Sequence, residues 1–381
     1  MISISEPYID NLEIKFLKEV LNKKNFTDGF FQKSSENLIS RIIKKKVFLT
    51  QSCSSALEVS AILLNLKKGD EVLVPSYTFS STVNAIVHRS AKPIFVDVDK
   101  ETLCMDIDDL EKKITKKTKA IYLVHYGGNS CDIEKLLKLK KKYNIYLVED
   151  AAHAFLSKYK KNYLGTIGDI GAFSFHETKN FNGAQCGAIV INNKKFLKKI
   201  DIILDKGTDR KEVVDYKKRF LAKNKKFYSW KDLGSEYRAS ELSSAILLAQ
   251  LKKIKKLQDV RKNVYLSYKD FFDKIDNKMC YQLKVNKSVK ISYHLFCLIF
   301  FSLKEANKFK KFMIQNKIAA TFHYIPLHSS TFGRTVSAYK KLPVTESIYL
   351  KVVRLPLHSN INQRLLNYIL KILNLYFSKK K

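Results

Sequence analysis

The chain has 381 residues, of which 45% are apolar and only 12 are glycine and 6 proline, a composition that excludes a disordered protein. At roughly 150 residues per domain, this length predicts about two domains. The formal net charge of +34 suggests a protein that binds nucleic acid. However, only nine of the 70 basic residues are arginine, and the lysines are spread over every segment. We therefore interpret the lysines as solvated surface and expect no nucleic-acid partner, although a positive field would speed the arrival of small anions.

The cysteines and the apolar runs indicate the cellular compartment of the protein. Six scattered cysteines form no CxxC pair and no metal-ligand spacing, which predicts a reducing compartment, no disulfide framework and no metal site. No run approaches the roughly 18 consecutive apolar residues that a membrane span needs. The sequence thus predicts a cytoplasmic protein without a membrane partner.

Strand-like and helix-like segments alternate in the first half of the chain. Seven short apolar runs rich in β-branched and aromatic residues are predicted as strands: VFLT (47–50), EVLVPSY (71–77), PIFVDVD (93–99), KAIYLVHY (119–126), IYLVEDA (145–151), GAFSFH (171–176) and CGAIVIN (186–192). Helical patterns cover residues 8–46, with a TDG turn between two helices, and then 54–66, 78–89, 106–114 and 132–144. This alternation is typical of an α/β fold with a mostly parallel sheet between helices. We expect the last two strands at the edge of that sheet.

The pattern changes after about residue 237. A long helical pattern over residues 239–275 leads to the apolar strand YHLFCLIFF (293–301), and a helix over 304–317 ends at the loop IAATFHYIPLH (318–328). We predict a large domain over residues 1–237 and a smaller C-terminal α+β domain over 238–381, joined by one long helix.

Lys179 differs from the other lysines. It is flanked by apolar or small residues, in GAFSFHETKNFNG (171–183), whereas most lysines lie in KK and KKK runs. A partly desolvated lysine has a lowered pKa, which frees its amine to attack a carbonyl group. The alternative interpretation is an ordinary loop lysine.

A second candidate lies in VEDAAHA (148–154). Parallel strands carry residues at their carboxyl ends into a ligand crevice, and Asp150 is at such an end, with His153 just beyond. A carboxylate there could keep a pyridine nitrogen protonated, as pyridoxal phosphate (PLP) enzymes require. Alone, such an aspartate is commonly a helix cap. The specific feature is the pair Asp150 and Lys179, each at the end of a predicted strand.

Two further segments have the composition of a binding site. QSCSSALEV (51–59) joins a strand to a helix, where free amides and serine hydroxyls suit a phosphate, although taken alone the segment favours a simple serine N-cap. PSYTFSST (75–82) places Phe79 at another strand end, where the ring could stack on a flat cofactor or belong to the core.

Together these segments resemble the sugar aminotransferases of the DegT/DnrJ/EryC1/StrS family. The resemblance follows the family order through nearly the whole chain, in SCSSAL (52–57), GDEVLVPSYTFSSTVNAI (69–86), FVDVD (95–99), VHYGG (124–128), VEDAAHA, GAFSFHETKN (171–180), KGTDR (206–210), YSWKDLGSEYRASEL (228–242) and FHYIPLH (322–328). It implies the fold-type-I PLP-dependent transferase fold.

The resemblance also implies a role for each candidate. Lys179 would hold PLP covalently and then move the proton, Asp150 would pair with the pyridine nitrogen, and His153 would hydrogen-bond near the ring hydroxyl. The other implied roles are phosphate binding by Ser54, Ser55 and Ser174, ring stacking by Phe79, a phosphate contact across the subunit boundary at Arg238, and sugar-nucleotide binding by His323.

The implied activity is amino transfer from glutamate to the C4 keto group of a dTDP-4-keto-6-deoxyhexose, giving dTDP-4-amino-4,6-dideoxygalactose for surface glycans. SFHETKN, KGTDR and YSWKDLGS most resemble that branch, the enterobacterial common antigen type. The enzyme would be a homodimer with shared active sites. Dehydratases of the family carry histidine in place of the lysine, so Lys179 favours transamination.

Two alternatives remain open at this stage. One is amination at C3, or of a UDP-linked keto sugar. The other is a non-catalytic binding or regulatory paralogue, which a departure from the family pattern suggests. The family usually has Glu-Gly-Gly after the lysine, but this chain has Gln185-Cys186-Gly187, and a lost glycine matters where the backbone needs positive φ.

Overall fold

The computed structural model describes residues 1–210, 227–275 and 278–378. Its strands are β1 (Lys46–Thr50), β2 (Glu71–Pro75), β3 (Lys92–Val96), β4 (Thr118–Val124), β5 (Tyr146–Asp150), β6 (Lys158–Tyr159), β7 (Asn162–Tyr163), β8 (Ile170–Ser174), β9 (Gly187–Ile191), β10 (Cys280–Gln282), β11 (Val289–Lys290), β12 (Phe296–Phe300) and β13 (Val352–Leu355). Its α-helices are α1 (Asn11–Lys23), α2 (Phe30–Ile43), α3 (Cys53–Leu63), α4 (Ser80–Val87), α5 (Ile107–Lys112), α6 (Ile133–Tyr143), α7 (Leu197–Leu204), α8 (Glu241–Leu251), α9 (Ile254–Lys274), α10 (Leu303–Gln315), α11 (Thr331–Val336), α12 (Pro343–Ile348) and α13 (Gln363–Ser378). None of these helices is long and apolar enough to cross a membrane.

The large sheet contains the seven strands predicted from the sequence, in the order β1-β9-β8-β5-β4-β2-β3. Strands β3, β2, β4, β5 and β8 are parallel to one another, and β9 and β1 add two antiparallel pairings. The prediction that β8 and β9 lie at the edge is wrong, because β1 pairs outside β9 and forms the edge itself. Every residue of β8 and β9 is buried, as expected for interior strands.

Helices cover both faces of the large sheet, so successive strand residues enter different cores. In β2, Leu73 belongs to a core formed with α2, α5 and α6, whereas Val72 and Val74 belong to a core formed with α3, α4 and α7. The period of two along a strand explains this division. With both faces buried, the polar strand ends are left at the carboxyl edge, where the site described below is formed.

The C-terminal part has its own sheet and its own core. Strands β10, β12 and β13 form an antiparallel sheet, and its apolar residues pack with α9, α10 and α13. A third sheet, β11-β6-β7, pairs Val289 with Tyr159 and thereby connects the two halves of the chain. The predicted division at residues 237 and 238 stays a prediction.

The prediction of one long helix over residues 239–275 is wrong, because the structure has two helices there. Helix α8 ends at Leu251 and α9 begins at Ile254, with Lys253 at φ −111° and ψ 16° between them. The amine of Lys253 is bound by Asp10, at 2.9 Å, and by Glu13, at 2.5 Å. The break lets α8 pack with α1 and α2 while α9 joins the C-terminal core.

Candidate active site

A cavity of about 780 Å³ lies at the carboxyl ends of the parallel strands, beside the C-terminal part of the chain. Asp150 and Lys179 both line it, together with Ser54, Phe79 and His153. Ser174 and His323 complete the set of predicted residues on its wall. Seven of the nine residues selected from the sequence are therefore brought together, although 269 positions separate Ser54 from His323.

Asp150 is the last residue of β5 and its side chain is held in one orientation. The Thr82 hydroxyl donates a 2.7 Å hydrogen bond to Oδ2, and the backbone N–H of Ala152 donates to Oδ1 at 3.1 Å. Burial raises the pKa of Asp150, while the two hydrogen bonds and the charge of Lys179 act in the opposite direction. A buried carboxylate of this kind gains most from a cationic partner.

Lys179 lies in the turn that follows β8, five residues beyond the end of that strand. Its backbone N–H donates to His176 O at 2.9 Å, and the turn is anchored through Asn180, whose amide donates to Ser292 O at 2.6 Å. Burial lowers the pKa of Lys179 to about 8, with opposing contributions from Cys53 and Asp150. This environment supports the functional interpretation of Lys179 over the ordinary loop lysine.

The first turn of α3 forms one end of the cavity. Ser52 caps the helix by accepting the Ser55 N–H at 3.0 Å, and the Ser54 hydroxyl donates to Ser81 Oγ at 2.7 Å. Gly187 lets β9 pass directly beneath this turn, since a Cβ there would lie 2.3 Å from Cys53 N. Hydroxyl groups and free helix amides at this end suit an anion. The Ser55 side chain points to Ser52, with Oγ atoms 3.0 Å apart, and its phosphate role stays a prediction.

His153, His323 and Phe79 lie around the middle of the cavity. His153 Nδ1 accepts the Gly127 N–H at 3.3 Å, so Nε2 carries the proton and faces the Tyr324 hydroxyl at 3.3 Å. His323 Nδ1 lies 3.2 Å from the Tyr126 hydroxyl. Burial lowers the pKa of both histidines, which are therefore neutral.

Phe79 stands at the opening of this cavity. It is the N-cap residue of α4, its side chain is 60% exposed, and its ring centroid lies 6.2 Å from that of Tyr324. Because this ring is exposed and does not pack in the core, it can stack on a flat ligand without losing core contacts. The stacking role of Phe79 stays a prediction.

Arg238 lies outside the cavity wall. It is buried and forms an ion pair with Asp201, and its Nε lies 3.9 Å from Asp28 Oδ1. Its backbone bridges Thr50, two residues before the α3 cap. The predicted contact of Arg238 with a phosphate across a subunit boundary stays a prediction.

The Gln185-Cys186 departure does not strain the backbone. Positive φ occurs at Ala184, at 58°, and not at Cys186, whose side chain is buried. Both Gln185 and Cys186 line the cavity. Among the described residues of this loop, the left-handed conformation that favours glycine therefore lies at Ala184, the residue before Gln185 and Cys186.

Among the lining residues that sequence reasoning did not select, three bear directly on the site. Thr82 lies one helical turn beyond Thr78, on the face of α4 that meets β5, and helical spacing could have found it. Tyr324 directly follows a residue that was selected. Arg354 is the single charged residue of the apolar strand VVRL, and a charge in such a strand was the signal available.

Comparison with known proteins identifies the kind of protein that has this site. The sequence profile of the DegT/DnrJ/EryC1/StrS aminotransferase family matches residues 7–374. The chain belongs to this family. The predicted family resemblance is therefore confirmed, and with it the fold-type-I architecture.

Relatives and solved structures agree with this assignment. This family member is 29% identical to the GDP-perosamine synthase of Escherichia coli O157:H7, over 100% of this chain and 99% of that protein. It is also 29% identical to the UDP-4-amino-4,6-dideoxy-N-acetyl-beta-L-altrosamine transaminase of Campylobacter jejuni, over 95% and 94% of the two chains. Its fold matches the PLP form of Spr1654, described as a candidate sugar aminotransferase of Streptococcus pneumoniae, with a TM-score of 0.88, 27% identity and 99% coverage of both chains. The protein is thus a sugar aminotransferase with PLP as its cofactor, which disfavours the non-catalytic alternative.

The polar and charged groups that line the cavity fit PLP. The Asp150 carboxylate is oriented for a ring cation, the Lys179 amine has a lowered pKa, and the first turn of α3 offers hydroxyl and amide donors for a phosphate. These three groups line one cavity, and Asp150 and Lys179 each shift the pKa of the other. Asp150 and Lys179 therefore share one cavity, and their roles toward the cofactor stay predictions.

Proposed function

We propose that the protein transfers the amino group of glutamate to the C4 keto group of a nucleotide-linked 4-keto-6-deoxyhexose. The observation that carries this proposal is the pair Asp150 and Lys179, a buried carboxylate and an amine of pKa about 8 on one cavity wall. An amine that is partly neutral near pH 7 can attack a carbonyl group and can exchange protons. PLP, when bound, supplies the electron-accepting ring.

The residues of the cavity have separate roles in binding the cofactor and moving the proton. Asp150, oriented by Thr82, keeps the ring nitrogen cationic, and Lys179 holds the cofactor and moves the proton at the reacting carbon. Ser54 and Ser174, with the amides of α3, bind the phosphate. Phe79 covers the ring and limits the access of water.

Two kinds of similarity bear on the choice of sugar substrate. The name of the Campylobacter relative places an amino group at C4 of a 6-deoxy sugar, which supports C4 as the aminated position. The nucleotides named in the two relatives are GDP and UDP, whereas SFHETKN, KGTDR and YSWKDLGS resemble the dTDP branch. We propose the dTDP-linked sugar, with UDP- and GDP-linked sugars as the competing substrates, and a cytoplasmic role in surface glycan synthesis.

A panel experiment tests the proposal. The purified enzyme is incubated with glutamate and dTDP-, UDP- and GDP-linked 4-keto-6-deoxyhexoses, and the products are identified by mass spectrometry and NMR. We expect a C4 amine on the dTDP sugar and stoichiometric 2-oxoglutarate. Lys179→Ala should fold and bind the sugar but produce no amine, whereas Lys138→Ala, an exposed lysine of α6, should match the wild type. Turnover by the Lys179 variant, or amine at C3, would contradict the proposal.

We also propose a homodimer. Large apolar side chains are exposed near the α2 N-terminus and in the segment before α8, including Phe30 at 60% and Trp230 at 79%. Contiguous patches of exposed apolar side chains mark interaction surfaces, and two-fold dimers are the commonest closed oligomers. Sedimentation of the wild type and of Trp230→Ser tests this, since a monomeric wild type would contradict it.

A further inference from the structure

His294 reaches the active-site cavity from the C-terminal part of the chain. It lies in the loop before β12, its side chain is buried, and it lines the same cavity as Lys179. Its ring stacks on that of His153, with the centroids 4.3 Å apart and an angle of 29° between the planes. His294 is therefore in direct contact with a predicted cofactor residue, although it belongs to the other half of the fold.

The side chain of His294 is joined to the residue that follows Lys179. His294 Nδ1 lies 2.9 Å from Asn180 Oδ1, and both side chains are buried. The orientation of the Asn180 amide is fixed, because its nitrogen donates to Ser292 O at 2.6 Å and its oxygen is left for His294. Burial, and next the charge of Lys179, lower the pKa of His294, so the ring is neutral. The proton of this neutral ring is therefore on Nδ1, which donates to Asn180.

The backbone around His294 is held from both halves of the fold. Arg261, a buried residue of α9, donates from Nε to Tyr293 O at 3.0 Å and from Nη2 to His294 O at 2.7 Å. The N–H of Ser292 donates to Ser157 Oγ, in the large-sheet half, at 2.9 Å. With its main chain fixed and its ring stacked, His294 is a rigid hydrogen-bond donor.

The turn that contains Lys179 depends on this donor. The Lys179 N–H donates to His176 O within the turn, and the exposed His176 side chain pairs with Thr178, 3.1 Å away and also in the turn. Asn180 instead carries hydrogen bonds from the turn to the C-terminal part, and one of them ends on His294. Without that donor, Asn180 Oδ1 would be a buried acceptor left unpaired, which is costly. A flexible lysine side chain is positioned only as well as the turn that carries it.

We propose that His294 is a positioning residue for the Lys179 amine, because its hydrogen bond to Asn180 locks the turn that carries Lys179. This inference rests on the proposed function, in which Lys179 holds the cofactor and moves a proton. A reacting group displaced by ~1 Å can lose ~10²-fold in rate, so a bond in the supporting turn controls the reaction without touching the substrate. We expect a loss of ~10-fold here, because the hydrogen bond from Asn180 to Ser292 remains.

Two substitutions at His294 separate the hydrogen bond from the ring. His294→Phe keeps a ring against His153 but has no donor for Asn180. His294→Asn places an amide nitrogen at the position of Nδ1, so it keeps the donor and loses the ring. Asn180→Ala removes the same hydrogen bond from the other side and gives the test if His294→Phe does not fold. The matched control is His358→Phe, at a buried histidine that is not among the residues lining this cavity.

The apoenzyme gives a readout that is independent of turnover. Hydrogen–deuterium exchange with mass spectrometry measures the opening of the peptide over residues 171–183, and thermal melting shows whether each variant is folded. We expect His294→Phe and Asn180→Ala to raise exchange in this peptide by ~10-fold or more. His294→Asn and His358→Phe should match the wild type. The double variant should equal Asn180→Ala alone, because that change has already removed the hydrogen bond.

The loaded enzyme separates positioning from binding. Bleaching of the PLP band near ~420 nm by glutamate should be ~10-fold slower at saturation in His294→Phe, with the half-saturating glutamate concentration unchanged. The pH midpoint of PLP capture should rise above about 8, because the released Lys179 amine is less buried. The charged and ionisable groups that shift the pKa of Lys179 are untouched by this change: Cys53, Asp150 and Arg354. His294→Asn should restore both properties.

The outcomes distinguish this inference from the proposed function. A folded His294→Phe with wild-type exchange in the Lys179 turn would overturn the inference, and so would a His294→Asn as impaired as His294→Phe. If exchange rises and bleaching slows as expected but no sugar in the panel is aminated, the positioning role stands and the proposed substrate fails. If the wild type and His294→Phe aminate sugars at the same rate, the function stands and the role of His294 is wrong.

Discussion

Thr82→Val isolates the hydrogen bond that orients the Asp150 carboxylate. The Thr82 hydroxyl is buried, donates to Asp150 Oδ2 at 2.7 Å, and lies 2.9 Å from the hydroxyl of Thr78. Valine keeps the shape of threonine but removes the donor. Since this hydrogen bond lowers the pKa of Asp150 against the effect of burial, its loss raises that pKa further and favours the protonated carboxyl group.

The size of the effect follows from the type of bond. A hydrogen bond to a charged group contributes about 1.5–3 kcal/mol, which corresponds to a shift of roughly one to two pKa units or ~10- to 100-fold in an equilibrium constant. A protonated Asp150 cannot pair with a cationic ring. We therefore expect the dissociation constant for PLP to rise ~10- to 100-fold, and the loss to grow as the pH falls.

The assay is a titration of apoenzyme with PLP across a pH series, followed by absorbance, for Thr82→Val and a matched control. The control is Thr345→Val, because the hydroxyl of Thr345 is also buried and donates to a carboxylate, Asp97, at 2.6 Å, away from the cavity. Both variants should lose similar stability on melting, but only Thr82→Val should lose cofactor affinity. Equal PLP affinity in Thr82→Val and the wild type at every pH would refute the reasoning.

Three further outcomes follow. Asp150→Asn should keep its fold and reduce turnover by ~10²- to 10³-fold, because it removes one partner of a buried charge pair, and steady-state kinetics with a melting control checks this. The rate of PLP capture by apoenzyme should rise with pH through about 8, the pKa of Lys179, and the midpoint should move to higher pH in Arg354→Gln; a midpoint near that of a free lysine would contradict it. Glu241→Ala should lower the free energy of unfolding by about 3 kcal/mol in urea titrations, because its carboxylate accepts three backbone N–H groups at the start of α2; a loss below about 1 kcal/mol would contradict it.

The sequence was sufficient for features that depend on local pattern. The seven strands of the large sheet are recognisable as short apolar runs. Asp150 and Lys179 could be selected because one ends such a run and the other follows one closely. The topology places a polar residue at the carboxyl end of a parallel strand on the edge of the sheet where ligands bind. The cavity could therefore be anticipated without coordinates.

Features that depend on contacts between distant segments could not be read in this way. Thr82 matters because α4 presents it to the end of β5, and Arg354 matters because β13 reaches the cavity from the other half of the chain. The break at Lys253 contains neither glycine nor proline, and it is explained by the ion pairs to Asp10 and Glu13, more than 230 residues away. The interior position of β9 depends on β1 pairing beside it, which no local pattern encodes.

The central claim, that Lys179 is the residue that holds the cofactor, has a direct test. The holoenzyme is treated with borohydride to fix the cofactor to the chain, digested, and mapped by mass spectrometry. The account predicts the phosphopyridoxyl group on Lys179 alone among the chain's many lysines, and none after prior incubation with glutamate. Labelling of a different lysine, or no labelling of a protein that binds PLP, would contradict it.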